Sequence, residues 1–180
     1  MAETKKIYSI QANYDGYKSF VLSNDETTLR CKGKPLNWSE PQPIETDEED
    51  VGVPEADISL LNIGSIVINE NIKKEYFDVY QDYCEFLPLD NDGKRYFAVN
   101  VINVLDCLDM NKSRFNKHGG IIDPVFDLAK IPDNAIFKIK EDNYTNIYCT
   151  EAVASKISDA RLTGAMIEAF DTNDRPYQNH

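Results

Sequence analysis

At 180 residues, with 42% apolar residues that include ten Tyr, eight Phe and one Trp, the chain is long enough to close its own core and far too apolar for a disordered polymer. Thirty-one acidic against nineteen basic residues leave a formal charge of −12, which repels phosphate backbones and anionic lipid and argues against direct nucleic-acid or membrane binding. The same charge suits a basic protein partner and speeds encounter with it, although it also serves plain solubility. The first residues, Met1 to Tyr8, lack the apolar stretch of an export signal, and no run approaches the roughly 18 residues of a membrane span, so a cytoplasmic location is expected. Cys31, Cys84, Cys107 and Cys149 are widely spaced, three of them in apolar runs, and read as buried reduced thiols. No disulfide, metal site or cofactor is expected.

In chain order, Lys6 to Ile10 predicts a strand, and Asn13 to Lys18 a turn into a second strand at Ser19 to Leu22, together a short amino-terminal hairpin. From Lys32 to Asp57, Pro35, Pro41, Pro43 and Pro54 break regular structure. Glu45, Asp47, Glu48, Glu49, Asp50, Glu55 and Asp57 carry no basic residue among them, so a long, solvated, self-repelling loop is expected. Ser65 to Ile68 predicts a strand, followed by Asn69-Glu70 and an amphipathic helix over Ile72 to Tyr83. Cys84 to Leu89 reads as a strand ending near Pro88, and Asp92-Gly93 as a tight turn into Lys94 to Asn100, giving a β-hairpin whose strand character continues to Leu105.

Extended pieces follow at Gly120 to Ile122 and Pro124 to Leu128, with strands at Ala135 to Ile139 and Asn146 to Cys149. Thr150-Glu151 caps a helix over Ala152 to Ala160, Gly164 ends the connection, and Ala165 to Phe170 makes the last strand. The predicted fold is α+β: a single domain, mainly antiparallel β, with two strand-helix-strand units and a long acidic loop. Residues 1–56 supply the hairpin and the Pro/acidic loop packed on the same domain, 57–170 the core, and 171–180 a polar, frayed tail.

Candidates for chemistry are few. His118 lies in a Gly-rich loop with no sequence-adjacent nucleophile, and His180 ends the tail. Asp106 and Asp109 would share a face if their stretch were helical; such a pair could divide acid and base roles, meet a partner, or merely cap the turn through Ser113. No phosphate-loop, dinucleotide or nucleophile-elbow pattern occurs. Trp38, beside the acidic loop, is an interface anchor if exposed and a pin holding the loop to the core if not.

Several short stretches carry a resemblance in their order and spacing: Ile66-Val67-Ile68-Asn69-Glu70, Glu85-Phe86-Leu87-Pro88, Tyr96 to Val101 running into Val104 to Asp109 with Ser113, Ile136-Phe137-Lys138-Ile139, Tyr148-Cys149-Thr150-Glu151 and Leu162-Thr163-Gly164. From about Asp57 to Phe170 the chain resembles the Imm11 family of bacterial immunity proteins, also known as DUF1629. Phe137-Lys138 stands where the family tends to show Phe-Arg, and Asn69-Glu70 and Thr150-Glu151 stand for its Ser-Glu junctions. The first substitution bears on any partner contact made by an arginine, and the segment before Asp57 matches only loosely.

The resemblance implies a protein encoded beside a contact-dependent or type VI secreted toxin, which it binds and blocks in the cytoplasm. Partner contacts are then expected from Trp38, Asp47, Glu48, Glu49, Asp50, Asp106 and Asp109, against a basic toxin. Two other classes stay open: enzymatic immunity using Asp106, Asp109 and His118, and an adaptor or chaperone that loads the toxin.

Overall fold

The computed structural model describes residues 5–24, 29–50, 52–62 and 65–170, so the tail expected at 171–180 lies outside the described residues. The strands are β1 (Ile7–Ala12), β2 (Phe20–Leu22), β3 (Gln42–Thr46), β4 (Ile58–Asn62), β5 (Ser65–Asn69), β6 (Cys84–Asn91), β7 (Lys94–Val101), β8 (Arg114–Phe115), β9 (Ile121–Asp123), β10 (Ile136–Phe137), β11 (Ile147–Thr150) and β12 (Ala165–Phe170). They form a four-stranded sheet in the order β10-β11-β1-β12, a six-stranded sheet in the order β2-β3-β6-β7-β5-β4, and the small pair β8-β9. Every named pair is antiparallel except β3 with β6. The architecture is α+β. No helix among the described residues is long and apolar enough to cross a membrane.

Strand alternation assigns each face. Ile10 and Ala12 of β1 and Ile147 and Cys149 of β11 join Ile66 and Ile68 of β5 and Val99 and Val101 of β7 in one core between the two large sheets. The opposite side chains, Ile7, Phe137 and Tyr148, meet Cys107, Leu108, Phe126 and Ile131, so the chain from Cys107 onward covers the outer face of the smaller sheet. Likewise Val67, Leu87, Leu89 and Ala98 turn outward from the larger sheet onto Leu29, Cys31, Leu36 and Trp38. Both large sheets are therefore apolar on both faces, and irregular chain, rather than helix, roofs their outer sides.

Helix α1 (Glu70–Ile72) continues as a π turn at Lys73–Phe77 and a 3-10 turn at Asp78–Tyr80, and α2 is Glu151–Asp159. The first is thus helical as its periodicity predicts, but irregularly wound. Asn69 caps it, its side chain accepting from the Ile72 amide at 3.0 Å. Thr150 occupies the matching position before α2 without a side-chain cap; its hydroxyl accepts instead from the Ala135 amide at 3.2 Å, tying β11 to the start of β10.

Several local expectations change. The amino-terminal hairpin does not form, because β1 lies between β11 and β12 while β2 pairs with β3 in the other sheet. The prolines of the acidic segment do not exclude structure, since β3 contains Pro43 and is followed by a 3-10 turn at Glu48–Asp50. Strand β6 runs through Pro88 to Asn91; its ladder with β3 engages only Leu89 and Asp90, so the missing N–H breaks no bond on that flank. Strand β7 stops at Val101, where the Ile102 and Asn103 amides both turn to the Tyr83 carbonyl.

The Asp92-Gly93 turn forms as predicted, both residues at positive φ, 50° and 83°. Gly164 is held more tightly: its φ is 75°, and a Cβ there would collide with the Ile58 carbonyl oxygen. Next to it, Asp57 and Thr163 bond reciprocally, the Asp57 amide donating to the Thr163 hydroxyl at 2.9 Å and the Thr163 amide to the Asp57 carboxylate at 2.8 Å. Replacing Gly164 with Ala should lower unfolding free energy by about 2 to 4 kcal/mol in denaturant titration, against about 1 to 2 kcal/mol for Gly16→Ala, where the φ of 82° strains an L residue but its Cβ would meet nothing.

Candidate partner-binding surface

The predicted contact residues fall into three separate places. The acidic turn follows β3. There Asp47 accepts from the Glu49 amide at 3.1 Å, and the Asp50 carboxylate accepts from the Ser19 amide at 2.8 Å and from the Ser19 hydroxyl. The Ser19 hydroxyl first, and its amide second, hold the Asp50 carboxyl below the ordinary aspartate range. Asp47 and Asp50 therefore shape the turn and clasp it to β2. Glu45, Glu48 and Glu49 stay exposed around it.

Trp38 lies on a strap over the outer face of the six-stranded sheet, half-buried against the cluster that includes Leu87 and Leu89. The strap is fastened by polar side chains reaching up from the sheet. Glu85 accepts from the Leu36 and Asn37 amides at 2.7 and 2.6 Å. Buried Asn100 donates to Glu85 at 2.8 Å and to the Lys34 carbonyl at 2.9 Å. Lys138, fully buried, donates to the carbonyls of Cys31 and Tyr144, each at 2.8 Å. Desolvation pulls the Lys138 ammonium below the ordinary lysine range, against the opposing pull of Cys31, Asp142 and Cys84.

Asp106 and Asp109 do not share a helical face, because Val104 and Leu108 form isolated bridges and no helix forms between them. Asp106 is exposed, 3.9 Å from Lys140. Asp109 caps a turn, accepting from the Asn111 and Lys112 amides at 3.1 and 3.2 Å. Partial desolvation works against its ionisation, but those amides and the Lys112 ammonium outweigh it and hold the Asp109 carboxyl low. His118 sits exposed in the β8–β9 loop, its backbone amide donating to Asn116.

Among the described residues, nothing assembles a nucleophile with a base. All four cysteines are free and buried, and desolvation raises Cys31 to about 11 and Cys84, Cys107 and Cys149 to about 12, so they stay thiols at neutral pH. Two shallow clefts, of about 330 and 240 Å³, contain no carboxylate, histidine, cysteine or lysine. Among the described residues, no three His, Cys, Asp or Glu side chains gather into a metal-binding group.

The stretches that carry the family resemblance are the ones that fasten this scaffold: Glu85, Asn100, Lys138, Thr150 and Thr163 all bond inward or to a neighbouring loop. The model of the immunity protein family Imm11 matches residues 11–171. The chain belongs to the Imm11 immunity protein family. Its match begins well before Asp57, and the matched range takes in the strap and the acidic turn. No individual curated protein matches the chain. Lys138, which the resemblance marked as a possible partner contact, is buried under the strap and makes an internal fastening. Sequence reading missed Glu85, Asn100 and Lys138 as a set; a charged or amide residue inside an otherwise apolar strand was the available signal.

A depressed carboxyl pKa fixes the sign of a pH effect. The Asp50 clasp contributes fully above the ordinary aspartate pKa of about 3.9 and is lost as pH falls through its lower folded value. In an NMR titration the Ser19 amide shift should follow Asp50 protonation with a midpoint below that of a model aspartate. Asp50→Asn should remove the transition, and a Ser19 midpoint at the ordinary value would contradict the clasp.

Proposed function

We propose that this Imm11 protein neutralises a cognate cytoplasmic toxin by binding it stoichiometrically and occluding its working surface, with no turnover of its own. The toxin is a basic protein delivered by a contact-dependent or type VI route. The supporting observation is the division of labour around the acidic turn. Asp47 and Asp50 are spent on local bonds, which leaves Glu45, Glu48 and Glu49 displayed on a fixed backbone. Preorganised, uncommitted carboxylates steer a cationic surface into register without an ordering cost on binding.

In this reading Glu45, Glu48, Glu49 and exposed Asp106 meet basic residues of the toxin, while Asp47, Asp50, Asp109 and Trp38 hold those contacts in place. The chain's formal charge of −12 extends the attraction beyond the contact itself. Enzymatic immunity through Asp106, Asp109 and His118 has no comparable support, since Asp109 is engaged with its own turn.

The triple variant Glu45→Lys, Glu48→Lys, Glu49→Lys leaves both clasps intact. It should slow association with the toxin domain encoded in the neighbouring reading frame by roughly tenfold at low ionic strength and flatten its salt dependence, with little change in dissociation. Stopped-flow or surface-binding kinetics measure both rates. An unchanged association rate with unchanged salt dependence would exclude this turn from the interface. Rescue of toxin activity by a hundredth of an equivalent of the protein would exclude occlusion altogether.

A further inference from the structure

The two large sheets have four edges, and three are blunted. Strand β10 is two residues long, and the residue after it, Lys138, bridges to Val104. Strand β2 has three residues. Strand β4 changes register between Leu60 and Asn62, and its first amide donates to the Thr163 carbonyl at 3.1 Å. Short edges, irregular register and covered ends are the ordinary means of preventing a stray strand from adding to a sheet.

The fourth edge is different. Strand β12 pairs with β1 over six consecutive residues without a break, contains no Pro or Lys, and has Glu168 as its one charge. Its outward groups can be assigned. The Asn13 amide donates to the Gly164 carbonyl at 2.8 Å, which makes Asn13 and Gly164 a hydrogen-bonded pair in the register that continues as Ala12 with Ala165. Such pairs alternate along an antiparallel ladder, so Met166, Glu168 and Phe170 bond to β1, and Ala165, Ile167 and Ala169 turn their N–H and C=O away from it. The Ala165 amide is taken by the Leu162 carbonyl at 3.4 Å. Both backbone groups of Ile167 and of Ala169 have no partner among the described residues.

Beside this row of donors and acceptors is the cleft of about 330 Å³, lined by Ile157 and Leu162 from α2 and the turn after it, by Ala165 and Ile167 of β12, and by Ser158 and exposed Arg161. Ala165, Ile167 and Ala169 share the face toward α2, so a strand laid along β12 would direct alternate side chains into that cleft.

We infer that β12 is a docking edge for an extended segment of the toxin, which adds to the four-stranded sheet as a fifth strand and seats an apolar side chain in the cleft beside α2. The occupant's backbone supplies the hydrogen bonds, and a basic residue lies across from Glu168. A second copy of this chain fits poorly, because two bodies of formal charge −12 repel. This inference rests on the toxin-binding reading above and adds where and by what chemistry the toxin engages.

Amide hydrogen exchange on the full chain, free and bound to the inactivated toxin domain from the neighbouring reading frame, tests it. The Ile167 and Ala169 amides should exchange at least about tenfold more slowly in the complex, while Met166 and Glu168, already bonded to β1, change little. Ala169→Pro removes only an outward donor and should weaken binding roughly tenfold with the fold retained. The exchange measurement needs no substitution, so it decides the matter even if that variant is unstable. A stable complex in which Ile167 and Ala169 exchange as in the free chain would overturn the docking edge and leave toxin binding standing. Failure to form any complex would remove both. Concentration-dependent protection of these amides without toxin would assign the edge to self-association and overturn the inference.

Discussion

Two apolar faces on each large sheet set the terms for everything else. Side chains such as Val67, Leu87 and Ala98 on one outer face, and Phe137 and Tyr148 on the other, must be covered, and the cover available is irregular chain. Irregular chain brings unpaired amides and carbonyls against an apolar surface, where each one left unbonded costs about 1 to 3 kcal/mol. Glu85, Asn100 and Lys138 answer that need from within the sheet and its margin, each bonding main-chain groups between Cys31 and Asn37. Burying the Lys138 ammonium is unfavourable in itself, as its lowered pKa indicates, and it is offset by the carbonyls it satisfies.

The residues that carry the resemblance here are fasteners and caps: Asn69 on α1, Thr150 on β10, Thr163 on Asp57, Glu85 and Asn100 under the strap. They specify how loops lie on sheets. Of the side chains free to meet another molecule, Glu45, Glu48 and Glu49 around the acidic turn and Met166 on the outer strand lie outside those stretches, and exposed Asp106 is the exception within them. A single scaffold can then present different surfaces to different partners, because the bonds that hold its loops do not involve the displayed residues.

Local patterns were readable in the sequence where both partners are close in the chain. The β6–β7 hairpin around Asp92-Gly93, the strand before each helix and the last strand all follow from periodicity and turn chemistry. Pairing across long separations was not readable. Strand β1 alternates as a strand should, but nothing local indicates that its neighbours are β11 and β12 rather than β2. Strand β3 was hidden by Pro41, Pro43 and its acidic side chains, because proline disfavours strands only where a ladder bond is lost, and that depends on which flank is occupied. The same limit applies to the candidate surface. The carboxylates were visible as residues, whereas the division between those that shape a turn and those left exposed depends on Ser19, Lys112 and Asn111, whose contacts only the fold supplies.

Native-state hydrogen exchange at Leu36 and Asn37 measures the strap's fastening most directly. If Glu85 holds both amides, they exchange far more slowly than exposed amides elsewhere in the chain. Glu85→Gln should then release them selectively, with the amides of β5 and β7 still protected. Fast exchange at Leu36 and Asn37 in the unaltered protein would contradict a roof fixed from beneath.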